Sequence, residues 1–154
     1  GPFRAFATPG HAPDHLAFLA GRVLFSGDAV LGHGSVYVAP DPGALRGYLA
    51  ALDRLLELEL DAICPGHGPL VSEPHAKLRE YRDHRLDRER KLVAALAEGR
   101  RTVDELLDRA WSDVPSVLRP AAAVTLASHL DKLEEEGRLP DDVDRSGIPR
   151  YGAV

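Results

Sequence analysis

Short apolar runs and one strongly periodic segment divide the first half of the chain into predicted strands and a helix. Four runs have the length and composition of strands, at residues 3–7, 15–19, 22–25 and 61–64. The pair Ala20-Gly21 between the second and third runs indicates a hairpin. Residues 31–39, which contain two glycines, are typical of a loop.

The helix predicted between the third and fourth runs begins at Asp41-Pro42. Aspartate is a favoured N-cap, and proline is tolerated at the first helical position. Five leucines then recur at helical spacing, at Leu45, Leu49, Leu52, Leu55 and Leu56. The order strand, hairpin, helix, strand predicts a mixed sheet covered by helices, so the fold class is α/β.

The second half of the chain has a helical pattern. Residues 73–98 predict a long charged helix, in which opposite charges three and four residues apart between Lys77 and Lys91 are typical of a solvated surface. Its sparse apolar anchors are Leu78, Tyr81, Leu86, Val93 and Leu96. Some of its arginines could alternatively line a substrate channel. Gly99 is the expected end of this helix.

Residues 99–154 predict a small, mostly helical winged-helix-like domain. A capping box at Thr102–Glu105 begins a short helix, and a further helix is expected over residues 115–136. Leu139 and residues 148–152 could pair as a hairpin. Counted with the long helix at residues 73–98, these are three helices followed by a hairpin, a pattern typical of a winged helix. The predicted division of the chain is therefore 1–72, 73–98 and 99–154.

Composition restricts the function more than the fold. The 154 residues are 44% hydrophobic and 28% charged with a net charge of −5, which argues against a nucleic-acid-coating surface. The single cysteine, Cys64, excludes an intramolecular disulfide and favours a reducing, cytoplasmic location; we expect it to be buried and structural. No apolar run is long enough to span a membrane. The absence of methionine indicates a trimmed, processed or fragmentary chain.

Three predicted strands end in side chains that could bind a metal. His11, Asp28 and His67 each follow a small residue at the end of an apolar run. Taken singly, each has an alternative interpretation as an ordinary turn residue. Imidazole nitrogen and carboxylate oxygen converging at sheet ends would suit Zn²⁺ or a similar transition metal, and the repetition at three strand ends favours that interpretation.

The remaining histidines have weaker functional interpretations. His15 could donate a hydrogen bond to a metal ligand or touch substrate, or it could simply pack in the core. His75, His84 and His129 lie on predicted helices, where we expect surface or core side chains. The predicted third helix of the winged-helix segment carries three consecutive glutamates, so sequence-specific DNA binding is not expected.

The three strand-end motifs also carry a family resemblance. Thr8-Pro-Gly-His11, Phe25-Ser-Gly-Asp28 and Pro65-Gly-His-Gly68 resemble the later metal motifs of the metallo-β-lactamase superfamily, in the same order. With the downstream helices, the chain is similar to the β-lactamase-like-protein-2 branch from Phe3 to about Tyr151. The resemblance implies half of an αββα sandwich followed by a winged-helix-like domain.

The resemblance also implies a chemistry. His11 would bind the first metal, Asp28 would bridge two metals and His67 would bind the second. A complete enzyme would hold up to two zinc ions, and a metal-bound hydroxide would attack a phosphodiester or a (thio)ester. The implied substrates are single-stranded RNA or a small-molecule ester or thioester.

The diagnostic His-x-His-x-Asp-His run of that superfamily does not occur in the sequence. We therefore expect the chain alone to bind one metal or none and to be inactive. A different hypothesis follows from the same observation. An uncovered half-sandwich would expose an apolar sheet face, which could make the chain an interaction module that forms a homodimer or captures a missing N-terminal half.

Overall fold

The computed structural model describes residues 3–148 of the chain. Within this range the strands are β1 Phe3–Ala7, β2 Leu16–Ala20, β3 Val23–Gly27 and β4 Ala62–Pro65, and the α-helices are α1 Ala44–Leu56, α2 Pro74–Ala97, α3 Val103–Ala110 and α4 Arg119–Glu135. A 3-10 helix at Ser116–Leu118 precedes α4. No helix in this described part of the chain is both long and apolar enough to cross a membrane.

The four strands form one sheet in the order β1-β2-β3-β4. The pairs β1/β2 and β2/β3 are antiparallel, and β3/β4 is parallel. The predicted hairpin joins β2 to β3, with Gly21 at φ 58° in its two-residue turn. Because β1, β3 and β4 run in the same direction, their carboxyl ends lie at one edge of the sheet.

Two cores lie on either side of the middle of α2. One face of the sheet packs against α1 and the first half of α2, with Leu24, Tyr48 and Ile63 fully buried between them. The second core joins the last turns of α2 to α3 and α4 through Leu92, Leu106 and other apolar side chains. The long helix is therefore shared by both halves of the molecule.

No helix or strand among residues 3–148 covers the other face of the sheet. Strand alternation places on it the side chains of Phe3, Ala5, Ala7, Leu16, Phe18, Ala20, Val23, Phe25, Ala62 and Cys64. All of these residues are apolar, and Phe3, Phe18 and Phe25 are 58%, 42% and 44% exposed. We call this surface the open sheet face.

Two helices begin later than the sequence predicts. Helix α1 begins at Ala44 because Pro42 lies in a turn and Gly43 takes a left-handed conformation with φ 75°. No side chain caps this helix, so the expected Asp41 cap is wrong. The helix expected from Pro115 is instead a 3-10 turn followed by α4 from Arg119.

Helix α2 is less solvated than its charge pattern predicts. Arg85, Arg88 and Glu89 are buried. Arg85 donates to the backbone of the loop at residues 31–39, and Arg88 donates to the Ala110 carbonyl at the end of α3. Glu89 forms an ion pair with Lys132 of α4, with Nζ 2.8 Å from Oε2. Charges spaced three and four apart along a helix do not reveal whether another helix covers them.

The expected winged-helix segment is described in part. The Thr102–Glu105 capping box begins α3 as predicted. Up to residue 148, no strand pairs Leu139 with Ile148; the extended contact in this region is a single bridge between Thr102 and Asp144. Residues 149–152 of the predicted hairpin lie outside the described residues.

Candidate metal centre

The carboxyl ends of β1, β3 and β4 bring together the three side chains predicted to bind metal. His11 follows β1, and its Nε2 lies 3.9 Å from Oδ2 of Asp28, which follows β3. His67 follows β4, and its Nε2 lies 3.5 Å from Oδ1 of Asp28. Asp28 therefore sits between two imidazoles that approach different oxygens of one carboxylate.

The carboxylate of Asp28 is incompletely satisfied by its protein neighbours. Its Oδ1 is buried and accepts no hydrogen bond from residues 3–148. A buried carboxylate oxygen without a donor is unfavourable, and a cation would satisfy it. In the same range, however, no three His, Cys, Asp or Glu side chains converge closely enough to hold one ion. The candidate ligands instead form two pairs, His11 with Asp28 and His67 with Asp28.

Two glycines leave room for the Asp28 carboxylate and for the His15 ring. A Cβ atom at Gly66 would lie 2.9 Å from Oδ1 of Asp28, and one at Gly27 would lie 2.7 Å from Nε2 of His15. Gly27 also has φ 51°, a conformation that favours glycine. The Gly66 N–H donates to the Gly27 carbonyl at 2.8 Å and ties the β4 end to the β3 end.

His15 holds the backbone of Asp28. Its Nδ1 lies 2.7 Å from the hydroxyl oxygen of Thr8, and its Nε2 accepts a hydrogen bond from the Asp28 N–H at 3.2 Å. Because Nε2 accepts, the ring is neutral and its proton is assigned to Nδ1. Burial lowers the pKa of His15, which favours this neutral form, although Asp28 opposes the shift. His15 thus positions the strand end and donates nothing to the Asp28 carboxylate.

The loop at residues 31–39 connects this edge to the helical half of the molecule. The Ala39 N–H donates to the Gly10 carbonyl at 2.9 Å, next to His11. One residue earlier, the Val38 carbonyl accepts a hydrogen bond from the Ser128 hydroxyl of α4 at 2.9 Å. Tyr37 contacts His11 edge to face, with ring centroids 6.5 Å apart. No sequence pattern singles out Tyr37, which is an isolated aromatic residue in a predicted loop.

The other singled-out residues lie away from the centre. Cys64 lies on the open sheet face and is only half-buried. The prediction of a buried cysteine is therefore wrong. The Nε2 atom of His75 lies 2.9 Å from the Leu58 carbonyl oxygen, and His84 lies on an exposed side of α2. His129 is a core residue with no exposed surface.

Comparison with protein families identifies both halves of the chain. Residues 2–67 match the family described as the metallo-beta-lactamase superfamily. Residues 102–145 match the beta-lactamase associated winged helix domain. The predicted fold class, a mixed α/β part of that sandwich followed by a winged-helix-like domain, is confirmed.

Individual relatives match nearly the whole chain. A beta-lactamase-like protein 2 homolog of Drosophila melanogaster is 35% identical and covers 88% of this chain and 47% of its own length. An atrochrysone carboxyl ACP thioesterase of Aspergillus chevalieri is 38% identical over 98% of this chain and 51% of its own. A metallo-beta-lactamase family protein from Thermus thermophilus has a similar structure, with a TM-score of 0.69, 32% identity and coverage of 88% and 44%. This chain therefore spans about half the length of the curated relatives it matches.

Proposed function

Because residues 2–67 belong to the metallo-beta-lactamase superfamily and residues 102–145 to its associated winged helix domain, we propose that the chain carries part of a metal-dependent thioester hydrolase. The observation that carries this proposal is the position of Asp28 between two imidazoles, at 3.9 and 3.5 Å. The proposed metal is zinc, which accepts both imidazole and carboxylate ligands.

The side chains at this edge fit a metal in their chemistry. His11 and one oxygen of Asp28 would hold one cation, and His67 and the other oxygen would hold a neighbouring one. Bound zinc would supply Lewis acidity, which lowers the pKa of water and polarises the scissile carbonyl. This chain's own contribution is placement, because His15 holds the Asp28 backbone and Gly66 leaves room for the Asp28 carboxylate.

The donor count supports the proposal that these residues alone form an incomplete site. Each cation would receive two protein ligands, whereas catalytic zinc sites use three. The His-x-His-x-Asp-His run that would supply more imidazoles does not occur in residues 1–154. We therefore propose that the chain by itself binds at most one zinc ion and does not hydrolyse substrate.

The name of one relative favours a thioester substrate over single-stranded RNA or a small-molecule ester. One relative with 38% identity is named as an acyl carrier protein thioesterase. An acidic chain with a net charge of −5 is also a poor match for an RNA backbone. Single-stranded RNA remains the competing substrate and serves as the alternative arm of the test.

The proposal is tested by zinc analysis and by hydrolysis. The purified chain is tested by itself and together with a polypeptide that carries a His-x-His-x-Asp-His segment. Each sample is mixed with an acyl thioester of N-acetylcysteamine or with single-stranded RNA. We expect no more than one zinc ion per chain, no hydrolysis by the chain alone, and thioester hydrolysis after the second polypeptide is added. Cleavage of single-stranded RNA without thioester hydrolysis would overturn the substrate class, and full activity of the isolated chain would overturn the incomplete site.

The open sheet face supports a second candidate function, a self-associating interaction module. A contiguous apolar surface that includes three exposed phenylalanines is unfavourable in water. In the isolated chain, the proposed cover is the open sheet face of a second copy, since pairing two such faces would remove both apolar surfaces from water. This module would need no metal.

Replacing Phe18 with aspartate is expected to convert such a dimer to a monomer. Phe18 lies on β2 between its partners Ala5 and Phe25, so a carboxylate there would be buried in the contact. Light scattering should show the mass fall by half, with at least a tenfold weaker dimer. The control is Val117→Asp, which changes an 81% exposed residue in the helical half. A monomeric parent chain, or a dimer unaffected by Phe18→Asp, would contradict the module.

A further inference from the structure

A cleft of about 330 Å³ lies between the loop at residues 31–39, helix α2 and the start of α4. Tyr37, His84, Arg85, Arg88, Trp111 and Leu118 are among the residues that line it. Tyr37 also contacts His11, so one lining residue of the cleft lies against the candidate metal centre. Its volume is within the range of small-molecule sites.

Arg85 is a buried cation in the wall of this cleft. It is 3% exposed and donates hydrogen bonds to the Val36 carbonyl and, at 3.1 Å, to the Ser35 hydroxyl. Its Nε is buried and donates to no acceptor in the described part of the chain. Among residues 3–148, Arg85 also forms no ion pair with a carboxylate. A buried charge without a counter-ion is strongly unfavourable.

The rest of the cleft does not neutralise this charge. Arg88 is paired with Asp113, with Nη1 2.6 Å from Oδ1, so the second guanidinium is already compensated. No aspartate or glutamate is among the described residues that line the cleft. Burial lowers the pKa of Arg85, and Arg88 lowers it further against the effect of Tyr48 and Tyr81, so the surroundings disfavour the charged form. An anion entering the cleft would supply the missing charge.

Aliphatic side chains form part of the remaining wall, which does not favour a nucleotide. Val36, Val114 and Leu118 contribute aliphatic surface, and Leu118 is 52% exposed at the mouth. Trp111 is only 6% exposed, because the Arg88 guanidinium lies 5.6 Å from its ring centroid and the His129 ring packs against it. The indole therefore has little free face on which a base could stack.

We propose that this cleft binds the acyl part of a carboxylate-bearing substrate, with its carboxylate paired to Arg85 and its carbon chain against Leu118 and Val114. The inference rests on the proposed thioester hydrolase, since it assigns that enzyme a substrate whose acyl group carries a second, anionic end. An ion pair with a desolvated guanidinium is stronger than one at the surface, so this contact would select anionic over neutral acyl groups.

Binding can be measured on the chain itself without metal or catalysis. Trp111 is the only tryptophan and lines the cleft, so its fluorescence reports occupancy. Octanoate and octanamide are the probes, because they share a carbon chain and differ in charge. We expect a saturable fluorescence change with octanoate, and at least tenfold weaker binding of octanamide.

A matched pair of variants tests the role of charge. Arg85 also donates to the backbone of the loop at residues 31–39. Replacing Arg85 could therefore change the folding of the chain as well as ligand binding. Ala121 is an exposed cleft residue on α4, and Ala121→Glu would place a competing carboxylate at the cleft. We expect Ala121→Glu to weaken octanoate binding at least tenfold and Ala121→Gln, which has the same shape, to leave it within about twofold.

Several results would overturn this assignment. Equal affinity for octanoate and octanamide would remove the role of the charge, and equal effects of the two Ala121 variants would place the ligand elsewhere. Tighter binding of inorganic phosphate or adenosine 5′-monophosphate than of octanoate would identify a phosphate site instead. Because none of these titrations uses zinc or hydrolysis, they can fail while the metal proposal stands, and the reverse also holds.

Discussion

Replacing Asp28 with asparagine is expected to weaken zinc binding by at least about 100-fold. Asp28 is the carboxylate that both His11 and His67 approach, at 3.9 and 3.5 Å. Asparagine keeps the shape of the side chain but removes its negative charge and replaces one ligand oxygen with an amide nitrogen that cannot bind a cation. Losses of 10–100-fold are typical even for residues behind the metal ligands, so losing a shared ligand should exceed that range. Isothermal titration with zinc measures the change.

The control for this experiment is Asp14→Asn. Asp14 is an exposed carboxylate in the same turn region, and changing it removes the same charge without touching the proposed ligand pairs. Zinc affinity should stay within about threefold of the parent, and circular dichroism should show both variants folded. Equal zinc binding by the parent and Asp28→Asn would contradict the assignment of this edge as the metal centre.

Replacing His129 with leucine is expected to remove much of the acid sensitivity of the helical half. His129 is fully buried, and neither ring nitrogen has a hydrogen-bond partner among residues 3–148. Burial, reinforced by the nearby cations Arg85, Lys132 and Arg88 and by His84, lowers the pKa of His129 to about 3. The folded chain therefore excludes a proton that the unfolded chain accepts at about pH 6.5.

The sign of the effect follows from this difference. The stability contribution is complete above about pH 6.5 and is lost as the pH falls toward 3, because the unfolded state binds the additional proton in that window. The loss at pH 4 is on the order of 3 kcal/mol, since each unit of pKa difference corresponds to about 1.4 kcal/mol. At pH 7, His129→Leu should be at least as stable as the parent, because it removes two unsatisfied ring nitrogens and keeps apolar volume.

Urea denaturation at pH 7 and pH 4, followed by Trp111 fluorescence, measures this difference. The Trp111 ring centroid lies 5.8 Å from that of His129, so the signal reports the same core. Other titrating groups contribute to the pH dependence of the unfolding free energy in both proteins. The difference between the parent and His129→Leu in that pH dependence therefore reports His129. The same fall in unfolding free energy for parent and variant would contradict the prediction, as would a proton NMR titration of His129 with a pKa near 6.5.

The sequence predicts a feature correctly where that feature depends only on residues close together along the chain. The two-residue turn at Gly21, the Leu stripe of α1 and the Thr102–Glu105 capping box depend on neighbours along the chain, and the structure contains all three. The predicted start of α1 is misplaced because Gly43 adopts a left-handed conformation that ends the proline turn first. A favourable Asp-Pro pair therefore does not by itself fix the first residue of a helix, which here is Ala44 rather than Pro42.

Features that depend on contacts between distant elements are not visible in the sequence. Glu89, which pairs with Lys132 of α4, and Arg85, which has no carboxylate partner among residues 3–148, both lie on α2, whose charge pattern is typical of a solvated surface. His15 precedes β2, whereas Asp28, whose backbone N–H it binds, follows β3. The sequence alone does not distinguish this contact from ordinary core packing of His15. Cys64 lies on the open sheet face because strand alternation, not apolar character alone, decides which side a residue occupies.

The sequence by itself determined the elements and named the three candidate ligands, since strand ends, glycines and histidines are local features of the chain. Only the tertiary structure decided that β1, β3 and β4 run in one direction, which brings His11, Asp28 and His67 to one edge. It also decided which charges are buried, because the loop at residues 31–39, α3 and α4 each cover part of the charged helix α2. Strand direction and helix coverage are properties of the packed molecule, and no short stretch of residues encodes them.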